Sequence, residues 1–458
     1  MDDILYRHKL LVNWIPILLA FLTIASIGQW LNISLGNTTI WWIIETIFLF
    51  GTYLFAINFY YVESNRWSNI KRMLIVYFYK AYKKRDKFNL IKSLLLYKII
   101  CKYKVENIKY PIPVLVYLFL ILLSIITGIF KAEYYWDWKA LYNNSLIYLL
   151  PLVFVFFSIP EMIKKACQSW IKFAIFSFGL FLPFMQLECP AKFLFPFAFF
   201  ILFWPDYNKK GIALCAIAFI FVFLFGTLGS RSSVIRFLTS LIFSILFLFK
   251  KYIHKSFFVA ISVFLISIPI ILLTLGITGQ FNIFKIGDYI DIDVSVESAY
   301  SEGKSENLSS DTRTFLYAET IESALDYDYW LWGNSMSQGY YSPYFAFADE
   351  VEGRGMRYAS EVGILNIFTN LGIIGVISYF IIFLTSIFKV FLFSKNKSLY
   401  IVALLVSFRW LFSFLEEFTR FDLNTIFLWI ELAMCNSPYF LKMSDNQFKN
   451  WSHNLLMK

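Results

Sequence analysis

Apolar stretches of about 20 residues recur along this chain from residue 11 to residue 441, separated by more polar segments. About 20 residues of α-helix cross the ~30 Å hydrocarbon core of a bilayer, and a helix satisfies its own backbone groups where no water can. Twelve candidate spans are legible, near 11–31, 40–62, 112–130, 143–159, 170–187, 192–205, 211–228, 232–249, 256–277, 360–388, 398–416 and 421–441. The sixth is short and flanked by proline. The tenth is overlong and interrupted by Gly363, Gly372 and Gly375. Of the 458 residues, 59% are hydrophobic and 16% charged, against about 45–50% and about 25% in soluble domains. The mean hydropathy is +0.62. The expected fold is an all-α, polytopic integral membrane protein with about 12 transmembrane helices and one long external loop. A soluble cytosolic enzyme and a secreted disulfide scaffold are both excluded.

Charge supplies the orientation. With the N-terminus in the cytoplasm, the inner segments hold 28 of the 41 Lys and Arg residues, as the positive-inside rule requires. The loop 278–357 carries 5 basic residues (Lys285, Lys304, Arg313, Arg354, Arg357) against 14 acidic ones. The net charge of +10 thus marks a cytoplasmic face, and no nucleic-acid partner follows from it. Arg7, His8 and Lys9 lead directly into a full-length span, unlike a cleavable signal. The expected organisation is nine spans over 1–277, the external loop over 278–357, then three spans and a cytoplasmic tail over 358–458.

Within the inner segment 63–109, Ile70, Met73, Leu74, Tyr77, Phe78 and Ala81 share one helical face, with Lys71, Arg72, Lys80, Lys83 and Lys84 on the other. This amphipathic helix suits the anionic membrane lipids of the inner leaflet or the surface of a partner protein. Cys101, Cys167, Cys189, Cys215 and Cys435 fall in different segments, so neither a disulfide framework nor a zinc site is expected.

The 80-residue external loop is far longer than most connections, and long ordered loops are usually lids or binding loops. It is acidic, then aromatic: Tyr317, Tyr327, Tyr329, Trp330, Trp332, Tyr340, Tyr341, Tyr344 and Phe345. Such faces suit sugar rings, and the same composition also builds an interfacial belt. The three histidines, His8, His254 and His453, all lie on the inner side of this topology. An outward-facing general base must then be a carboxylate. Asp291 with Asp293, and Asp326 with Asp328, make D-x-D pairs, a pattern that arises easily by chance in so acidic a loop. No metal site is expected.

Two stretches read as more than composition: FGTLGSRSSVIRFL (225–238) and RYASEVGILNIFTNLGIIG (357–375). With Arg313 in DTRTFLYAET and the patch WLWGNSMSQGY (330–340), they resemble the O-antigen polymerase and ligase family. Its members show a G-S-R turn, a long external loop with an Arg before a Trp/Gly-rich patch, and a closing G-[IL]-[IL]-G segment. The ligases it resembles place a His eleven residues before the first Gly of that motif, where this chain has Glu361. A carboxylate there fits a polymerase better.

The resemblance implies a GT-C-like, inverting, metal-independent glycosyltransferase without a cofactor, working in a bacterial inner membrane. Its substrates would be undecaprenyl-pyrophosphate-linked oligosaccharides, and a chain-length regulator is a partner of such proteins. A pyrophosphate leaving group needs cations, and arginine offers a planar, permanently charged fork. Arg231 and Arg313 are the first candidates, Arg236, Arg354 and Arg357 lesser ones, and Glu361 is the candidate base. Without the resemblance, Arg231 and Arg236 read equally as interfacial anchors. In the eleventh span Arg409, Ser413, Glu416 and Arg420 recur on one helical face, either lining a substrate groove or forming an internal ion-pair ladder, with Glu431 a partner for Arg409. The competing class is a flippase for lipid-linked sugars. Transporters usually repeat their halves around a midplane site, and no repeat is visible here. The ligase is the runner-up among enzymes.

Overall fold

The computed structural model describes residues 9–28, 43–44, 46–63, 76, 79, 109–181, 194–225, 231–283, 295–297, 305–307, 313–343, 354–416 and 422–456. The basic amphipathic helix expected over 70–81 lies almost wholly outside these residues, as do Asp291, Asp293 and Arg420. The protein is all-α, with two short antiparallel ribbons in the long loop. In chain order the helices are α1 (Lys9–Gly28), α2 (46–63), α3 (Ile112–Lys131), α4 (Tyr135–Tyr148), α5 (Phe154–Phe157), α6 (Pro160–Phe181), α7 (Pro196–Ile201), α8 (Lys209–Phe225), α9 (Arg231–Phe249), α10 (Lys255–Ile277), α11 (Thr314–Asp326), α12 (Gly363–Phe393), α13 (Ser398–Phe412), α14 (Leu423–Asn436), α15 (Pro438–Lys442) and α16 (Asp445–His453).

Four stretches are long and apolar enough to cross a membrane: Ile112–Lys131, Tyr135–Phe157, Lys255–Gly276 and Gly363–Phe393. Shorter apolar helices include Ser398–Phe412 and Leu423–Asn436. These last two, α13 and α14, are buried on nearly every side and pack on each other and on α12. Helices apolar all round belong at a core. By contrast α3 and α10 turn Leu115, Phe119, Leu122, Phe264 and Ile271 outward, the faces that lipid covers.

Several sequence boundaries move for identifiable reasons. The fourth span begins at Tyr135 rather than 143, and Pro151 breaks it into a 3-10 turn over Leu150–Val153 before α5, because proline removes a donor and crowds the preceding turn. Residues 160–169, expected in a loop, form the start of α6. Within the sixth predicted span, α7 has 6 residues, about 9 Å at 1.5 Å per residue, too short to cross. Phe197, Phe199, Phe200 and Ile201 are buried there, since protein burial and lipid burial select the same residue types. The eleventh span ends at Phe412, and residues 413–416 turn away. Arg409, Ser413 and Glu416 therefore do not continue one helical stripe.

The overlong tenth span is two helices. At Gly372 (φ 65°) the backbone of α12 breaks, and the aromatic patch of the long loop fills the break. Asn334 N–H donates to the Thr369 carbonyl (2.7 Å), while Ile373 N–H donates to Trp330 (2.9 Å). A Cβ on Gly372 would fall inside the Leu331 carbonyl, and one on Gly333 (φ 81°) would meet the Asn370 backbone. Glycine is required at both positions. The piece after the break, 373–393, is about 31 Å long, close to a bilayer core.

The helix ends form two sets. At one end Lys250 Nζ donates to Ser398 Oγ (2.8 Å), Lys397 Nζ to the Ile253 carbonyl (3.0 Å) and Ser452 Oγ to Asp206 (2.8 Å). At the other, Lys131 Nζ donates to Asn334 Oδ1 (3.4 Å) and Asn282 to Thr314 (2.9 Å). Segments assigned by charge to a common side thus meet at a common end. Cys167, Cys215 and Cys435 are free and buried.

Candidate active site at the loop end of the bundle

Arg313 is the N-cap residue of α11. Its Nη2 donates to Glu416 Oε1 at 3.2 Å, both side chains being about a quarter exposed. Glu416 sits on the turn after α13, and its carbonyl accepts from Gly363 N–H (3.0 Å), with Ser413 accepting from Ile364 N–H (3.0 Å). That turn occupies the first amides of α12, groups a helix leaves without internal partners. Glu361 stands two residues before this helix start, its side chain 61% exposed. Arg357 Nη2 lies 3.9 Å from Glu361 Oε1, and its Nε donates to the Ala359 carbonyl (3.2 Å).

The ribbon of β1 (Tyr340–Tyr341) with β2 (Met356–Arg357) sets Arg357 opposite Tyr340. Cross-strand neighbours on one face stand about 5 Å apart, so the ribbon returns the loop to α12 with Arg357 between Tyr340 and Glu361. Four groups proposed from sequence, Arg313, Glu416, Arg357 and Glu361, therefore gather at one end of the bundle.

Other candidates sit elsewhere. Arg354 donates to buried Asp137 (3.0 Å) and to the Tyr358 hydroxyl (2.8 Å), and lies over the Tyr134 ring at 4.0 Å. Asp137 also accepts from Tyr358 (2.7 Å) and from the Glu133 and Tyr134 amides. This clamp ties the loop to the α3–α4 turn, and the sequence reading missed Asp137 because it lies near a span end with no motif around it. Arg236 is 2% exposed, beneath the Phe195 and Phe412 rings at 4.1 and 5.3 Å. It is no headgroup anchor; it lies within electrostatic reach of Arg409, Glu416, Asp422 and Glu431. Arg231 opens α9, with its side chain outside the described residues.

Arg409 forms a two-pronged pair with Glu431 (3.1 and 3.0 Å) and also donates to Asn424, wholly inside the bundle. The partner guessed from sequence is the one found, in an ion pair whose two side chains are both buried. His254 caps the start of α10, and His453 Nδ1 meets the Asp206 carbonyl. Both belong to the end opposite Arg313, about 35 Å away along α10. Asp326 closes α11 and Asp328 takes a left-handed backbone (φ 53°), both exposed.

Beside Arg313 lies an apolar cavity of about 270 Å³ between α10, α11 and the turn after α13, lined by Pro269, Leu272, Tyr317, Ile321, Leu411 and Phe414. Asn282 and Thr314 are the polar groups of its wall. The arrangement thus sets two guanidiniums, two carboxylates and an apolar slot along the border between loop and bundle.

Comparison with known proteins agrees. Residues 214–380 match the family model described as O-antigen ligase, a stretch running from α8 through the loop and past the break in α12. No curated protein and no solved structure gives a significant match. With four helices long and apolar enough to cross a membrane, the chain is a multi-pass inner-membrane protein, and its residues 214–380 are similar to the O-antigen ligase family.

Proposed function

We propose that the protein is a polymerase of O-antigen or a related surface polysaccharide. It transfers a growing glycan from undecaprenyl pyrophosphate to the non-reducing end of a new lipid-linked repeat unit, on the periplasmic side. The observation that carries this reading is Glu361, a carboxylate standing where the ligases it resembles have histidine, 3.9 Å from Arg357 and beside the turn that holds Arg313. In this reading Glu361 takes the proton of the incoming hydroxyl. Arg313 and Arg231, helped by Arg357, steady the charge that builds on the pyrophosphate as the glycosidic bond breaks, while Arg236 stays in the core between Phe195 and Phe412. Arg354 contributes by holding the loop in place. The apolar cavity beside Arg313 suits part of the polyprenyl chain.

The finer architecture belongs to the same proposal: a GT-C-like multi-span arrangement with both termini cytoplasmic, and an inverting transfer without metal. A chain-length regulator is its proposed partner. The ligase, which passes finished glycan to lipid A core, is the second reading, and the family match serves it as well. The experiment supplies purified protein in detergent with a lipid-linked repeat unit, with and without lipid A core, in chelator. A ladder of lengthening glycans supports the polymerase. Transfer only to lipid A core supports the ligase, and neither product defeats both.

A further inference from the structure

Glu361 is placed by its backbone more than by its carboxylate. The side chain is exposed, and its ion-pair partner Arg357 stands at 3.9 Å, where a solvated pair fixes little. The residues on either side of it, Ser360 and Val362, are both buried. Where the carboxylate stands therefore follows from what holds those two neighbours.

Asn366, one turn into α12 and itself buried, holds the first of them with both prongs of its amide. Its Oδ1 accepts from Ser360 N–H (2.6 Å), and its Nδ2 donates to the Ser360 carbonyl (2.9 Å). That carbonyl belongs to the peptide joining Ser360 to Glu361. An amide side chain can accept and donate at once, so it grips Ser360 as a paired strand would. Val362 N–H donates to Ser360 Oγ (3.2 Å), and Asn366 N–H donates to the Val362 carbonyl (3.2 Å). Both neighbours of Glu361 are thus tied to one residue. The helix start does not need this side chain, because the Gly363 and Ile364 amides are taken by the carbonyls of Glu416 and Ser413. The Asn366 amide reaches past them to the segment that carries Glu361.

We infer that Asn366 is a positioning residue for the transfer, fixing Glu361 where the incoming hydroxyl meets it. This rests on the reading of Glu361 as the base. A base acts only within hydrogen-bond reach of its proton, and a misplacement of about 1 Å from outside the chemistry can cost about 100-fold. An exposed carboxylate with one distant partner gets that precision from the residues behind it.

The test reads position and turnover on the full chain in detergent. Asn366→Ala removes both prongs. Asn366→Asp keeps the shape but turns a second acceptor toward the Ser360 carbonyl, and so guards against a packing defect in the first variant. Hydrogen exchange over 358–366, followed by mass spectrometry, should speed up at least about tenfold in both, with 373–393 and thermal melting as in the wild type. On lipid-linked repeat units extracted from the source organism deleted for this gene, kcat for elongation should fall about 100-fold and KM should stay within about twofold. Unchanged exchange overturns the proposal, as does faster exchange with a normal kcat. Faster exchange that spreads through 373–393 also overturns it, since Asn366 would then only build the helix. A wild-type chain that elongates nothing defeats the polymerase reading, and the exchange result alone then decides whether Asn366 holds Glu361.

Discussion

Arg313 and Glu416, a hundred residues apart in sequence, meet at 3.2 Å where α11 begins and α13 has just ended. Glu416 holds the first turn of α12 through its backbone and Arg313 through its side chain. The same residue thus fixes both the candidate phosphate-binding cation and the helix start next to the candidate base.

That pair is partly open to solvent, and such pairs contribute only about 0–1 kcal/mol to stability. Its importance should lie in turnover. Arg313→Ala should lower elongation about 100-fold, near 2.7 kcal/mol of transition-state stabilisation, with melting in detergent nearly unchanged. Arg313→Lys keeps the charge, loses the fork, and should still lose at least about tenfold. Initial rates alongside thermal melts check both.

Arg409 and Glu431 should behave oppositely. Both are fully buried, and removing one partner from a buried pair strands the other charge at a cost of about 3–5 kcal/mol. Arg409→Ala and Glu431→Gln should each melt at a much lower temperature, and the double replacement Arg409→Met with Glu431→Leu should recover a large part of the loss. A double-mutant cycle on melting temperature measures this coupling.

Gly372→Ala should loosen the join between loop and helix. Its backbone φ of 65° disfavours any side chain, and the added carbon would strike the Leu331 carbonyl. The expected result is faster proteolytic cutting between residues 327 and 343, with the bundle intact. Unchanged cutting would show that the patch is not held by the break.

Much of this was legible in advance, and the failures have causes. Apolar length located most helices, yet α7 looked like a span because burial in protein and burial in lipid choose the same side chains. The glycines in the overlong tenth stretch marked a break, but nothing local said that Trp330 and Leu331 would fill it. Arg313 and Glu361 stood out by their place in motifs. Asp137 did not, because what distinguishes it is a network of partners. That property exists only once distant segments are packed. Arg409 and Glu416 suggested a helical stripe from spacing alone, and a helix end at Phe412 separated them.

Tyr340 offers a pH signature. Burial pushes its phenol up to about 12, with Arg357 pulling it down and Glu319 pushing it up. An unfolded tyrosine ionises near pH 10, so the unfolded chain sheds this proton first. The contribution to stability should be complete below about pH 10 and disappear as the pH rises toward about 12. Tyr340→Phe should flatten that part of the stability curve relative to wild type, measured by melting across pH 9 to 12.

The most direct test of the whole account is elongation by Glu361→Gln. The variant replaces an exposed carboxylate with its amide and should insert, melt and bind lipid-linked sugar as the wild type does. Its glycan ladder should be absent. A ladder formed at the wild-type rate would show that Glu361 is not the base, and would contradict the proposed chemistry.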